Sequence, residues 1–102
     1  MITPDNWIVL HLQIDGYYKI LCGWSGGYLD GDRWAMNSGI SKIEEDEDAY
    51  YVHGISGSIY KCYKDQETLR KNCADIYHKI INERSDIKRV EMNSIKDIFL
   101  HD

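Results

Sequence analysis

Residues Ile8, Leu10, Leu12 and Ile14 alternate with Trp7, Val9, His11 and Gln13, which is the two-residue period of a strand. Asp15-Gly16 follows, and because both positions tolerate the positive φ of a type I′ turn, a second strand is expected to return from Tyr17 to about Trp24. In that register Leu10 faces Leu21 and Ile14 faces Tyr17 on one side of the ribbon, while Val9 faces Cys22 and Trp7 faces Trp24 on the other. Both faces are then apolar. A ribbon of this kind must be covered twice, on one side by a helix and on the other by a loop, a ligand or a partner.

The chain downstream supplies one obvious cover. Leu69, Cys73, Ile76, Tyr77, Ile80 and Ile81 recur at helical spacing, with Asp65 placed to cap the helix and Glu67 to sit in its first turn. Between ribbon and helix, Trp34 to about Ile43 reads as a third strand, broken or bulged near Asn37-Ser38-Gly39. The acidic run Glu44-Glu45-Asp46-Glu47-Asp48 is too charged to bury and marks a turn. Ala49 to His53 and Ser58 to Tyr63 flank Gly54-Ile55-Ser56-Gly57 as a further hairpin. After Ser85-Asp86, a short strand around Lys88 to Met92 is expected to rejoin the sheet. Ser94 and Asp97 then cap a last helical turn carrying Ile95, Ile98 and Phe99. The expectation is one α+β domain over residues 1–102: an antiparallel meander of about five strands packed on one main C-terminal helix, then a short strand and a terminal helical turn.

Composition narrows the function classes. A chain of 102 residues buries one core, and with 43% apolar residues, 28% charged and one proline it is globular in composition. The longest apolar stretch, Trp7 to Leu10, is far short of the ~20 residues of a bilayer span, and no signal peptide opens the chain, so a cytoplasmic location is expected. Cys22, Cys62 and Cys73 include no CxxC pair and read as packed, reduced thiols. The net charge of −5 belongs to residues 1–66, with 10 acids against 5 bases; residues 67–102 carry 7 of each. Duplex nucleic acid needs a basic stripe that this chain lacks.

Catalytic and metal chemistry find little support. Gly23-Trp24-Ser25-Gly26-Gly27 matches the G-x-S-x-G pattern of a nucleophile elbow, but no helix follows it and the chain is too short for that fold. His11, His53, His78 and His101 are scattered, and neither Asp30 with Asp32 nor the run 44–48 has calcium-loop spacing. No catalytic residue, metal or cofactor is expected.

Cys22 to Trp34 holds four of the eight glycines and three large aromatics, and reads as a long ordered loop. Ser25, Gly26 and Gly27 can turn backbone N–H groups toward an anion, Arg33 can pair with a phosphate, and Trp24, Tyr28 or Trp34 can stack on a base. These are the parts of a nucleotide-sized pocket. The plainer alternative is that the glycines make tight turns and the tryptophans close the edge of the core. The repeated G-x-S-G at 23–26 and 54–57, with Asn37-Ser38-Gly39, forms a polar rim if the hairpins bring these turns to one end of the sheet.

Three segments, Trp24 to Trp34, Met36-Asn37-Ser38-Gly39-Ile40 and Gly57-Ser58-Ile59-Tyr60-Lys61-Cys62, carry a resemblance to small accessory proteins of tailed bacteriophages. The resemblance implies a host-takeover or counter-defence role inside the host cell, without enzymatic activity, in which such a protein sequesters a signalling nucleotide or clamps a host protein. The first hypothesis is a homo-oligomeric binding protein that captures a small phosphorylated ligand through Trp24, Ser25, Gly26, Gly27, Tyr28, Arg33 and Trp34. The second is a protein–protein inhibitor that sets Glu44, Glu45, Asp46, Glu47 and Asp48, with exposed Tyr50, Tyr51, Tyr60 and Tyr63, against a basic host surface.

Overall fold

The computed structural model describes residues 1–26 and 33–100. Within them lie seven strands, β1 (Asn6–Leu12), β2 (Tyr17–Trp24), β3 (Arg33–Met36), β4 (Ile40–Glu45), β5 (Ala49–Gly54), β6 (Ile59–Tyr63) and β7 (Ile87–Val90), and two helices, α1 (Lys71–Glu83) and α2 (Met92–Phe99). The class is α+β, as expected, but the single five-stranded meander is replaced by two antiparallel sheets, ordered β3-β2-β1-β7 and β4-β5-β6.

The division falls at Asn37-Ser38-Gly39, where the sequence suggests only a bulge. Asn37 is 5% exposed, and its N–H donates to the Ile20 carbonyl (3.2 Å) while its Oδ1 accepts from the Ile20 N–H (2.9 Å). Side chain and main chain together finish the ladder on β2. Gly39, at φ +139°, then carries the chain into the second sheet.

The β1–β2 ribbon has both of its apolar faces covered. Ile8, Leu10, Leu12 and Leu21 pack with Cys73, Ile76, Tyr77 and Ile80 of α1 and with Ile87 of β7. On the other face, Trp7, Val9, Ile20 and Cys22 meet Ile43, Val52, Tyr60 and Cys62 of the second sheet, along with Met92 and Ile95 of α2. The second cover is therefore the chain's own β4–β6 sheet, and neither a ligand nor a partner is needed there. Each large side chain so buried contributes roughly 1.5–3 kcal/mol.

The ribbon's register is displaced by two residues from the expected one: Trp7 pairs with Cys22, Val9 with Ile20 and Leu10 with Lys19, not with Trp24, Cys22 and Leu21. The connection is four residues, Gln13 to Gly16, closed by the Gly16 N–H donating to the Leu12 carbonyl (2.8 Å) with Gly16 at φ +78°. Ile14 consequently lies in the loop, 79% exposed, and does not face Tyr17. A slip of two preserves which side chains share a face, so the two apolar faces survive the correction.

Helix α1 starts six residues after Asp65. Lys64–Gln66 is a 3₁₀ turn, and Arg70, not Asp65, takes the N-cap position of α1, with no side-chain capping bond. Glu67 serves a different helix, its Oε2 accepting the Met92 N–H (2.7 Å) at the start of α2. Strand β7 begins one residue earlier than expected and pairs antiparallel with β1. All three cysteines are buried free thiols, and burial pushes the Cys22, Cys62 and Cys73 thiols up. Among the described residues, no helix is long and apolar enough to cross a membrane.

Candidate ligand groove beside the edge strand

Strand β3 lies at the margin of its sheet, with Arg33 opposite Trp24, Trp34 opposite Gly23 and Ala35 opposite Cys22. Alternation places Arg33 on the side of the second sheet and Trp34 on the side of α1. The expected cluster is therefore split between the two faces of one strand. The Arg33 guanidinium lies over the Trp24 ring, 5.9 Å from its centre, and a shallow cavity of about 220 Å³ is lined by Trp24, Arg33, Trp34 and Ala35.

The larger space is on the other face. Trp34, 48% exposed, forms one wall of a groove of about 470 Å³ whose opposite wall is α1, through Lys71, Asn72, Asp75, Ile76 and Lys79. Gly23 sets the spacing of these walls. A Cβ there would lie 2.6 Å from Cys73 Sγ and closer still to the Asn72 amide oxygen, so α1 can approach β2 only over a glycine. Asn72 donates to Asn6 Oδ1 (2.7 Å) and Asn6 donates to the Thr68 carbonyl (3.3 Å), which ties the first turn of α1 to β1. Lys71, Asp75 and Lys79 follow at i, i+4 and i+8 on one helix face, and among the described residues none of the three forms an ion pair. Among the described lining residues, two ammonium groups stand against one carboxylate, a local excess of positive charge on a chain of net charge −5. The first turn of α1 holds no acidic residue, so the positive end of the helix dipole adds to that field.

The glycine segment is arranged differently from the expected anion nest. The Ser25 N–H donates to Asp5 Oδ2 (2.8 Å) and the Trp24 indole N–H to the Thr3 carbonyl (3.1 Å). Asp5 is brought there because residues 2–5 run from the edge of β6, where Ile2 bonds with Ile59 and Lys61, to the end of β2, where the Asp5 N–H donates to Gly23. A carboxylate of the chain thus already occupies the Ser25 amide, and Gly26 is engaged as well. Gly27 and Tyr28 lie outside the described residues. Of the polar rim, two turns meet: the Ile55 N–H donates to the Gly39 carbonyl (2.8 Å), the Ser56 N–H to Ser38 Oγ (3.0 Å), and the Ser38 and Ser56 hydroxyls lie 3.1 Å apart. The third, Gly23 to Gly26, is at the opposite end of β2.

The acidic run is exposed and is only partly a turn, since Glu44 and Glu45 end β4, but three of its five carboxylates are paired within the chain. Glu44 Oε1 is 2.6 Å from His53 Nε2; Glu45 pairs with Lys64 (2.6 Å) and Lys96 (3.2 Å), which hold its carboxyl below the usual range. Asp46 Oδ1 accepts the N–H groups of Asp48 (2.9 Å) and Ala49 (2.8 Å), and its Oδ2 accepts the Tyr51 hydroxyl (2.7 Å). Tyr50 and Tyr60, expected among the exposed tyrosines, are 6% and 7% exposed and belong to the core; Tyr50 packs edge-on against Trp7. Tyr51 and Tyr63 do stand on the outer face, one on each side of Lys61. Glu47 and Asp48 form no ion pair among the described residues, and with Tyr63, Lys64 and Asp65 they line a cleft of about 410 Å³.

Among the described residues, no group of three or more His, Cys, Asp or Glu side chains is placed to hold a metal ion. No protein-family model, curated protein or solved structure matches this chain. The groove residues that the sequence did not single out are Lys71, Asn72, Asp75 and Lys79. In the sequence they are the polar side of an amphipathic helix, and only the approach of that helix to Trp34 turns them into a wall.

Proposed function

We infer that this protein binds a small phosphorylated ligand, a nucleotide, in the groove between β3 and α1. One observation carries the reading: the half-exposed Trp34 ring faces two lysines without ion-pair partners across a space of about 470 Å³. Pockets for small ligands run from about 300 to 1,000 Å³. A base stacked on the indole gains about 1–3 kcal/mol, and a phosphate beside Lys71 or Lys79 meets an ammonium without first breaking a salt bridge. Arg33, around the strand edge with Trp24, offers a further cation to a ligand that extends past Trp34. Among the described residues the groove holds no nucleophile paired with a base, which supports binding without turnover. Together with the resemblance to phage accessory proteins, this supports sequestration of a signalling nucleotide in the host cytoplasm.

Isothermal titration with a panel of mononucleotides, dinucleotides and cyclic nucleotides tests the reading. Wild-type protein is expected to bind at least one of them, and Trp34→Ala to weaken that binding by tenfold or more. Absence of heat across the panel removes it.

A second reading, a clamp on a basic protein surface, is favoured by the cleft beside Glu47 and Asp48. It requires a salt-sensitive complex recovered from host lysate that Glu47→Lys with Asp48→Lys abolishes. It is the weaker of the two because Glu44, Glu45 and Asp46 already have partners within the chain.

A further inference from the structure

We propose that Asp75 makes the β3–α1 groove selective for guanine nucleotides, an inference that rests on the nucleotide reading and specifies its base. Asp75 lies one helical turn from Lys71 and one from Lys79, so the two lysines leave the helix about 12 Å apart along its axis with Asp75 midway between them. Despite this spacing Asp75 pairs with neither lysine, while Trp34 and Ile76 supply the apolar surface beside it. The groove therefore suits a ligand that is anionic at an end, flat and apolar on its faces, and rich in hydrogen-bond donors where it meets Asp75.

An ionised carboxylate only accepts hydrogen bonds, and its two oxygens match two adjacent parallel donors. Among the common bases, guanine alone presents such a pair on one edge, the ring N1–H and the exocyclic N2 amino group. Adenine and cytosine set an acceptor nitrogen beside their amino group, which the carboxylate repels, and uracil flanks its single N–H with two carbonyls. A guanine stacked on Trp34 with that edge toward Asp75 carries its phosphate away from the carboxylate, toward one of the lysines. The discrimination follows from a bidentate pair gained in one case and an acceptor–acceptor clash in the other.

The test is competition titration of wild type and Asp75→Asn with GMP, IMP, AMP and 2′-deoxy-GMP, with circular dichroism to check the fold of the variant. Wild type is expected to bind GMP about tenfold or more tightly than AMP, with IMP, which lacks the N2 amino group, in between and 2′-deoxy-GMP close to GMP. Asp75→Asn is expected to erase the preference, weakening GMP through loss of the bidentate pair and leaving AMP bound at least as tightly as by wild type because the acceptor–acceptor clash is relieved. Equal affinity of wild type for GMP and AMP, or a preference that survives in Asp75→Asn, overturns the assignment and leaves nucleotide binding standing. A marked loss with 2′-deoxy-GMP also overturns it, by assigning the carboxylate to the ribose. If none of the four binds, this inference fails, and the panel described above decides whether the nucleotide reading falls with it.

Discussion

Asp86 joins two parts of the chain that are remote in sequence, its own Arg84–Asp86 turn and the β1–β2 connection. Its carboxylate accepts from Arg84 Nε and Nη2, both at 2.8 Å, and from the Ile14 N–H (3.3 Å), while Arg84 also reaches Asp15 (3.2 Å). The Arg84 guanidinium, first among these, holds the Asp86 carboxyl down to about 2. A folded value below the unfolded one of about 3.9 means that its contribution to stability is present above that value and is lost as pH falls toward 2. Carboxyl-carbon NMR is expected to show Asp86 titrating near pH 2 in wild type and returning toward the usual range in Arg84→Ala; no difference between the two proteins would sever this link. The pair Asp15-Gly16 marks where the turn falls, but not its type: the connection has four residues and only Gly16 takes a positive φ. What the sequence does not display is that Asp15 and Ile14 answer to Arg84 and Asp86, contacts that exist only once β7 lies beside β1.

Helix α2 is eight residues long and lacks a capping side chain of its own. Glu67 supplies the missing acceptor from 25 positions away, and partial burial raises its carboxyl above the usual range. Removing it in Glu67→Ala is expected to cost about 0.5–2 kcal/mol. Hydrogen exchange should show faster exchange of the α2 amides with α1 unchanged; equal loss of protection in both helices would contradict a cap local to α2. The same residue explains why the start of α1 is misplaced from sequence: Asp65 and Glu67 have the character of a helix start, but one is in a 3₁₀ turn and the other serves a second helix. Periodicity is more informative. The alternation in Trp7 to Leu12 and the stripe Leu69 to Ile80 identify the correct faces, because a buried face leaves a repeat in the chain; at their ends, Ile14 lies in the loop and Ile81 outside the packed cluster. Which surface covers that face leaves none, and so Asn37-Ser38-Gly39 is legible as a break but not as the passage from one sheet to another.

At the scale of the whole molecule, the β1–β2 ribbon is common to both cores. Leu10 faces α1 and Ile43 faces the ribbon from the second sheet, at 0% and 1% exposure. Leu10→Ala and Ile43→Ala are each expected to cost about 2–5 kcal/mol. Because both cores share the ribbon, each variant should still unfold in a single transition seen alike by tryptophan fluorescence and far-ultraviolet circular dichroism. Separate transitions would mean that the layers are independent units. The candidate site is half legible: Trp34 and Arg33 stand out among glycines, whereas the lysines opposite Trp34 come from a helix that only the tertiary structure brings near.

The three tryptophans make the groove directly observable, since Trp7 is fully buried, Trp24 is partly buried with its indole N–H held by Thr3, and Trp34 is half exposed. Titrating GMP while following tryptophan emission is expected to give a saturable quench in wild type that disappears in Trp34→Phe and persists in Trp24→Phe. A quench that follows Trp24 and not Trp34 would place the ligand elsewhere than between β3 and α1, and emission that stays flat with GMP and with every member of the nucleotide panel would contradict nucleotide binding in the groove.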